Sequence, residues 1–420
     1  MEKQYKRLTL ACYTESLSMA VVSNLPPILF LTFRHLYDLS YTQLGLLIFI
    51  NFTSQLLADL VFSFFSHKFN IAKTVKFTPL LTLLGLFVYS LWQLVFPDVV
   101  YIGLILGTVI FSAAAGLCEV LISPVIAAIP SDNPDRQMSK LHSVYAWGVT
   151  PVVIIGTLFL MFFQAEYWYV LILLFALLPL SSLLLFYKTP IPPVTQPEKS
   201  SDTWKLFRNK TMWLCVFAIF LGGATECNMA QWSSGYVEKA LGLPKIWGDI
   251  FGVALFGVML GLGRTLYAKF GKHLFRILIF GSFGAFLCYM TAVFFPNAVV
   301  GMIACALVGF FSAMLWPGTL VVAAEKFPKS GVLIYAMMAA GGDMGAALVP
   351  QLVGMVTDFS IGQPWVMFLA NSLNITAEQL AMRIGLLVST VFPLIGTFVL
   401  IRLWKSCRVS KPTSELEEVV

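Results

Sequence analysis

Six ionisable side chains stand where an apolar sequence accommodates charge least. Glu15, Asp59, Glu119, Glu226 and Asp343, with one cation, Arg264, each interrupt a long and mostly uncharged stretch. An ionised side chain at the centre of a membrane helix costs about 2.5–3.5 kcal/mol on insertion scales, so such residues face a cavity or one another and carry function. Glu226 and Asp343 are the most central in their segments, and Glu119 lies slightly off centre. Five carboxylates cannot all pair with one guanidinium. The unpaired acids are expected to hold and release protons, or else to neutralise a cationic solute or bind sodium. Glu119, Glu226 and Asp343 are therefore the expected proton-coupling residues. Asp343 has a second reading, because Gly341-Gly342-Asp343-Met344-Gly345 should bend its helix and the carboxylate would cap the freed amides. Asp59 and Arg264, nearer the cytoplasmic end of their segments, are the expected structural or gating residues, and Glu15 is expected to snorkel to the interface.

The chain that must position these groups has 420 residues, 58% apolar and 11% charged. Soluble domains carry roughly 25% charged residues, so this chain cannot cover a water-facing surface and reads as a membrane protein. Each helical crossing takes about 20 apolar residues. Hydropathy gives segments 8–33, 41–66, 75–96, 100–129, 137–164 and 167–188, then 211–240, 245–268, 273–295, 298–325, 329–358 and 382–405. Residues 189–210 hold four prolines and several charges and read as a linker. The expected fold is an all-α membrane protein of twelve transmembrane helices in two pseudo-symmetric six-helix bundles. The bundles are residues 1–188 and 211–405, with 406–420 as a tail.

Every Lys and Arg except Arg34, Lys239, Lys245 and Arg383 falls on one side of this topology. The positive-inside rule puts that side, and both termini, in the cytoplasm. The net charge of +6 then reflects orientation and calls for no nucleic-acid partner. Internal echoes support duplication: Phe111-Ser112-Ala113 recurs as Phe311-Ser312-Ala313, Val125-Ile126-Ala127-Ala128 as Val321-Val322-Ala323-Ala324, and Lys68-Phe69-Asn70 as Lys269-Phe270-Gly271. Parallel repeats of this kind place the solute between the halves near mid-membrane.

Helical spacing then sorts the neutral candidates. Asn51, Gln55 and Asp59 follow one another every fourth residue and form a polar stripe. Ser112, Glu119 and Ser123 share a face, as do Thr225, Asn228, Trp232 and Tyr236, a polar and aromatic face suited to a planar solute. Glu226 lies about 160° from Asn228 on an ideal helix, so both reach one cavity only if the helix bends. Trp147 and Trp316 are further mid-bundle aromatics. Nucleotide-binding, metalloprotease and serine-hydrolase motifs are missing, so the expectation is no enzyme and no cofactor. Four dispersed His residues and seven Cys imply neither a metal site nor a disulfide framework.

These features together resemble the major facilitator superfamily, and four stretches are similar to its fucose/proton symporter branch. They are Glu119-Val120-Leu121-Ile122-Ser123-Pro124, Leu141-His142-Ser143-Val144-Tyr145-Ala146-Trp147-Gly148, Gly263-Arg264 with Lys269-Phe270-Gly271-Lys272, and Gly341-Gly342 through Pro350, Gly354 and Asp358. The resemblance implies proton-coupled uptake by alternating access, with Glu119 in the coupling. The branch has an Asp a few residues after its first-helix Asn. Here Asn24 is followed by Leu25-Pro26-Pro27, and the acid is missing. His67 and Asn70 also replace the Asp and Gly of the first loop motif.

The function expected is symport of a proton with a small polar solute such as a sugar or nucleoside, through a solute site of Asn24, Asn51, Gln55, Tyr145, Trp147, Asn228, Trp232 and Trp316. Sodium could replace the proton. The alternative is proton-coupled efflux of cationic or amphiphilic compounds, and a non-transporting receptor is a third reading. The expected setting is a lipid bilayer, with a monomer in a bacterial inner membrane.

Overall fold

The computed structural model describes residues 2–65, 68–130, 134–193, 208–270, 272–295, 297–327 and 331–408, and its regular elements are all helices. The first bundle contains Glu2–Tyr37, Tyr41–Phe65, Ile71–Val95, Val100–Ala127 and Pro134–Phe162. Its sixth helix is broken at Ala176 into Trp168–Phe175 and Leu177–Phe186. The seventh helix, Lys210–Lys239, opens the second bundle. The eighth runs from Lys245–Trp247 through a π-helical turn, Gly248–Ala254, into Leu255–Phe270. The ninth is Leu274–Phe294, the tenth Ala298–Ser312 with Leu315–Lys326, the eleventh Gly331–Ile361, and the twelfth Ala377–Ser389 with Val391–Arg408. Among the described residues, eleven of these are long and apolar enough to cross a membrane. The fifth, Pro134–Phe162, is 29 residues long and includes the apolar stretch Trp147–Phe162.

Short connections make successive helices alternate in direction. The face at which the first helix begins is called the near face below, and the other the far face. Most of the linker (194–207), most of the tail (409–420), and His67, Gly271 and Lys329 lie outside the described residues. So do the side chains of Arg136, His142 and Ser143. Residues around 359–381 differ from the expected loop. A short helix, Pro364–Ser372, follows the eleventh, and the twelfth starts at Ala377 behind a Thr376/Gln379 capping box. Glu378 and Gln379 in that first turn hide it from a hydropathy reading.

Glycines set the helix spacing. A methyl group on Gly345 would stand 2.1 Å from the carbonyl oxygen of Phe220, and one on Gly223 would stand 2.4 Å from that of Gly342. The seventh and eleventh helices therefore touch backbone to backbone, as small residues permit in membranes. The repeats seen in the sequence pack alike: Phe111 covers Gly85 between the third and fourth helices, and Phe311 covers Gly284 between the ninth and tenth. Between the bundles, Gly45 lies against Gln351 and Gly354 against Tyr41, so the second and eleventh helices are also in close contact.

Gly345→Leu should cost about 1–3 kcal/mol through overpacking and lower the melting temperature in detergent. Gly261→Leu, where a methyl meets nothing within 4 Å, should melt close to the parent. Equal melting of the two variants would contradict the backbone contact.

Candidate functional site

The two bundles are clasped at the far face by polar contacts that reach across from one to the other. Only three residues separate the first helix from the second, which leaves the amides at the start of the second without helical partners. Asp358 of the eleventh helix supplies them. Its Oδ1 accepts from the Tyr41 amide at 3.1 Å and its Oδ2 from the Thr42 amide at 2.6 Å. A carboxylate at a helix N-terminus is also favoured by the helix dipole. Beside it, Glu378 pairs with Arg34 at 3.1 Å and accepts from the Tyr41 hydroxyl at 2.8 Å. The Arg34 guanidinium lies 4.1 Å from the Tyr41 ring centre. On the opposite flank, Thr157 of the fifth helix donates to Asp249 of the eighth at 3.0 Å. Ser234 and Lys245 hold that carboxylate from within the second bundle. Below these contacts, Ile28, Val153, Val253 and Ala254 form an apolar plug shared by both bundles.

Nearer mid-membrane the character changes. Glu119 is surrounded by protein yet exposed to solvent, so it lines an internal cavity. With the far face clasped, that solvent enters from the near face. Gln55 of the second helix donates to its Oε2 at 2.8 Å, and one turn above, Ser112 donates to Asn51. The stripe of Asn51, Gln55 and Asp59 thus faces the fourth helix, where Gly116 makes room for the Asp59 carboxyl. Across the cavity, Glu226 pairs with Arg264 at 3.1 Å, and Arg264 also donates to the carbonyl of Ala313. This neutral unit braces the seventh, eighth and tenth helices from within one bundle. Tyr145, bonded to Ser23, feels both Glu119 and Arg264 and stands between the two sides.

The remaining candidates scatter. Asn24 donates to the carbonyl of Ala20 on its own helix. Asn228 is buried inside the second bundle, where it donates to Tyr289 and Ser389. Trp232 belongs to the far-face clasp, its ring 5.8 Å from that of Phe30 and 6.0 Å from that of Tyr41. Trp316 lies over Gly223 and Gly342. Trp147 is 69% exposed and points about 200° around the helix from Tyr145, away from the cavity side. Glu15 does not snorkel: it is buried within the first bundle, with Thr82 donating to it. Asp59 and Arg264 make no pair with one another, since Arg264 is engaged by Glu226. Asp249, Asp358 and Glu378 were not singled out in the sequence because they fall near segment ends. The signal that points to Asp358 is the short connection before Tyr41, whose amides need an acceptor.

At the near face, a cavity of about 540 Å³ lies between the first, fourth and fifth helices, with Lys6, Lys140, Tyr5 and Tyr13 in its wall.

Two helical bundles clasped at one face around polar groups reached from the other have the architecture of a secondary transporter. The chain belongs to the Major Facilitator Superfamily, whose family model matches residues 12–350. It is a transporter and not an enzyme. No curated protein matches it by sequence. Among solved structures it is similar to the nucleoside transporter NupG, at 13% identity and a TM-score of 0.68 over 96% of this chain and 99% of that one. It is similar to a D-xylose-proton symporter at 17% identity and 0.66, over 92% and 95%. It is also similar to the E. coli fucose:proton symporter FucP at 15% and 0.57, over 92% and 98%.

Removing a helix cap costs about 1 kcal/mol, which is roughly a fivefold change in a two-state population. Asp358→Ala should therefore open the far face. A cysteine at Leu31, buried between the bundles, should react about fivefold faster with a membrane-impermeant thiol reagent in that background. An unchanged rate would mean that the cap does not hold the clasp.

Proposed function

We propose that this transporter couples proton entry to uptake of a small polar solute of the sugar or nucleoside class. It works by alternating access between bundles 1–188 and 211–405 across the linker 189–210. The observation that carries the proposal is Glu119. This acid, deep in the bundle, sees solvent, bonds to Gln55, and among the described residues forms no ion pair. Such a group binds a proton without leaving an uncompensated charge and offers a hydrogen-bond donor to the solute when protonated. Tyr145, Gln55 and Asn51 supply further polar contacts. The near face carries almost all the Lys and Arg and is assigned to the cytoplasm by the positive-inside rule. The conformation described here is then the inward-facing one, in a monomer of a bacterial inner membrane. The solutes named for the nucleoside, xylose and fucose transporters support the solute class.

Glu226 was an equal candidate on sequence. Its pairing with Arg264 favours Glu119 as the coupling residue and leaves the Glu226–Arg264 unit as a brace. The uncompensated acids of the cavity also favour a second reading, export of organic cations in exchange for protons. Tetraphenylphosphonium binding that competes with protons would support export over symport.

In proteoliposomes, an inside-alkaline pH gradient should drive accumulation of the solute picked out by a thermal-shift panel of sugars and nucleosides. Glu119→Gln should abolish accumulation while preserving counterflow. Gradient-driven accumulation that survives in this variant would remove Glu119 from the coupling.

A further inference from the structure

Asp343 differs from the other deep acids in lying between the bundles and not inside one. Gly341, Gly342 and Gly345 press the eleventh helix onto the seventh and tenth. The opposite side of the eleventh helix, with Asp343, Ala347, Pro350 and Gly354 at helical spacing, meets the second helix of the other bundle. There Asp343 is 3% exposed. The titratable groups that face it are Glu119 from the fourth helix, Asp59 from the second and Cys227 from the seventh. The nearby Arg264 is committed to Glu226 and the Ala313 carbonyl. Among the described residues no Lys or Arg pairs with Asp59, Glu119 or Asp343.

Asp59 provides a second and independent observation. It is 5% exposed, and its Oδ1 has no hydrogen-bond partner. It fits only because position 116 is glycine, where a methyl would stand 2.6 Å from that oxygen. A carboxylate sealed in this way without a cation or a donor is far more costly than the neutral acid. The three acids form a ladder along the second helix: Asp343 is sealed between the bundles, Glu119 is open to the cavity, and Asp59 lies one turn nearer the near face than Gln55.

From this juxtaposition we infer that Asp343 is a proton site that links the two bundles, neutral while the second and eleventh helices are closed on it and ionised when they part. The proton leaves the Asp343 carboxyl for water in the cavity, and a carboxylate remains. That charge, facing the Asp59 and Glu119 carboxyls with no cation between them, drives the second helix from the eleventh. The same helix pair continues through Gly45 on Gln351 and Tyr41 on Gly354 to the Asp358 cap. Ionisation at mid-membrane is thereby transmitted to the far-face clasp. The inference rests on the proton-coupled reading and adds its conformational half: a proton from the far side is required to close the far face, and its release toward the near side reopens it.

The test uses the full chain in nanodiscs, with spin labels at Asp98→Cys and Gly362→Cys on the far-face connections of the two bundles and the seven native cysteines replaced by alanine. Between pH 5 and pH 9 the far-open population should rise about tenfold in this parent, by less than about twofold in Asp343→Asn, and again by about tenfold in Asp343→Glu, which restores a titratable group. A parent that ignores pH, or an Asp343→Asn variant that responds like the parent, would overturn the inference. The symport reading fails separately, if the parent's gate responds to pH but a pH gradient drives no solute accumulation in vesicles.

Discussion

Carboxyl groups held in a low-dielectric interior without enough cations are the constraint on which this structure turns. Of the five deep acids, only Glu226 has a guanidinium partner among the described residues. Glu15 is absorbed into the packing of the first bundle. Asp59, Glu119 and Asp343 are left along one helix contact: Glu119 opens to the cavity, while Asp59 and Asp343 are buried and expensive as anions. If Asp343 links the bundles as inferred above, its burial and that of Asp59 depend on whether the second and eleventh helices are closed, and protonation is then tied to conformation. Proton-coupled uptake of the kind proposed needs such a dependence, because a solute gradient is built only when the empty, unprotonated protein is steered back to its starting state.

The remaining structure serves that contact. Backbone approach of the seventh and eleventh helices, made possible by Gly223 and Gly345, fixes the rotation of the eleventh so that Asp343 faces the other bundle. The far-face clasp is built of hydrogen bonds and ion pairs, each modest in energy and each able to exchange protein partners for water. Such a clasp holds one conformation while remaining within reach of a single buried charge. The Glu226–Arg264 unit lies wholly inside one bundle and is suited to bracing.

Much of the architecture was legible in the sequence because the bilayer admits few solutions. Hydropathy and the distribution of Lys and Arg were enough to set the number of helices and their alternation, and the polar stripe of Asn51, Gln55 and Asp59 followed from helical spacing alone. What spacing does not carry is the identity of the neighbour. Asn228 and Trp147 have the composition of solute ligands, yet one is turned into its own bundle and the other outward, because glycine contacts set the rotation of each helix. The clasp residues Asp249, Asp358 and Glu378 were hidden for a related reason. Their partners lie 92 to 344 residues away in sequence, and a charge near a segment end looks the same whether it meets water or another bundle.

The central claim is that a carboxyl group between the bundles is neutral in the conformation described here. Infrared difference spectroscopy of the carboxylic acid carbonyl stretch reads this directly, without knowledge of the solute. The account predicts a protonated carboxyl band in the parent at neutral pH that disappears as the pH is raised, and that is reduced in Asp343→Asn. A parent spectrum without that band, or an Asp343→Asn spectrum identical to the parent's, would contradict it.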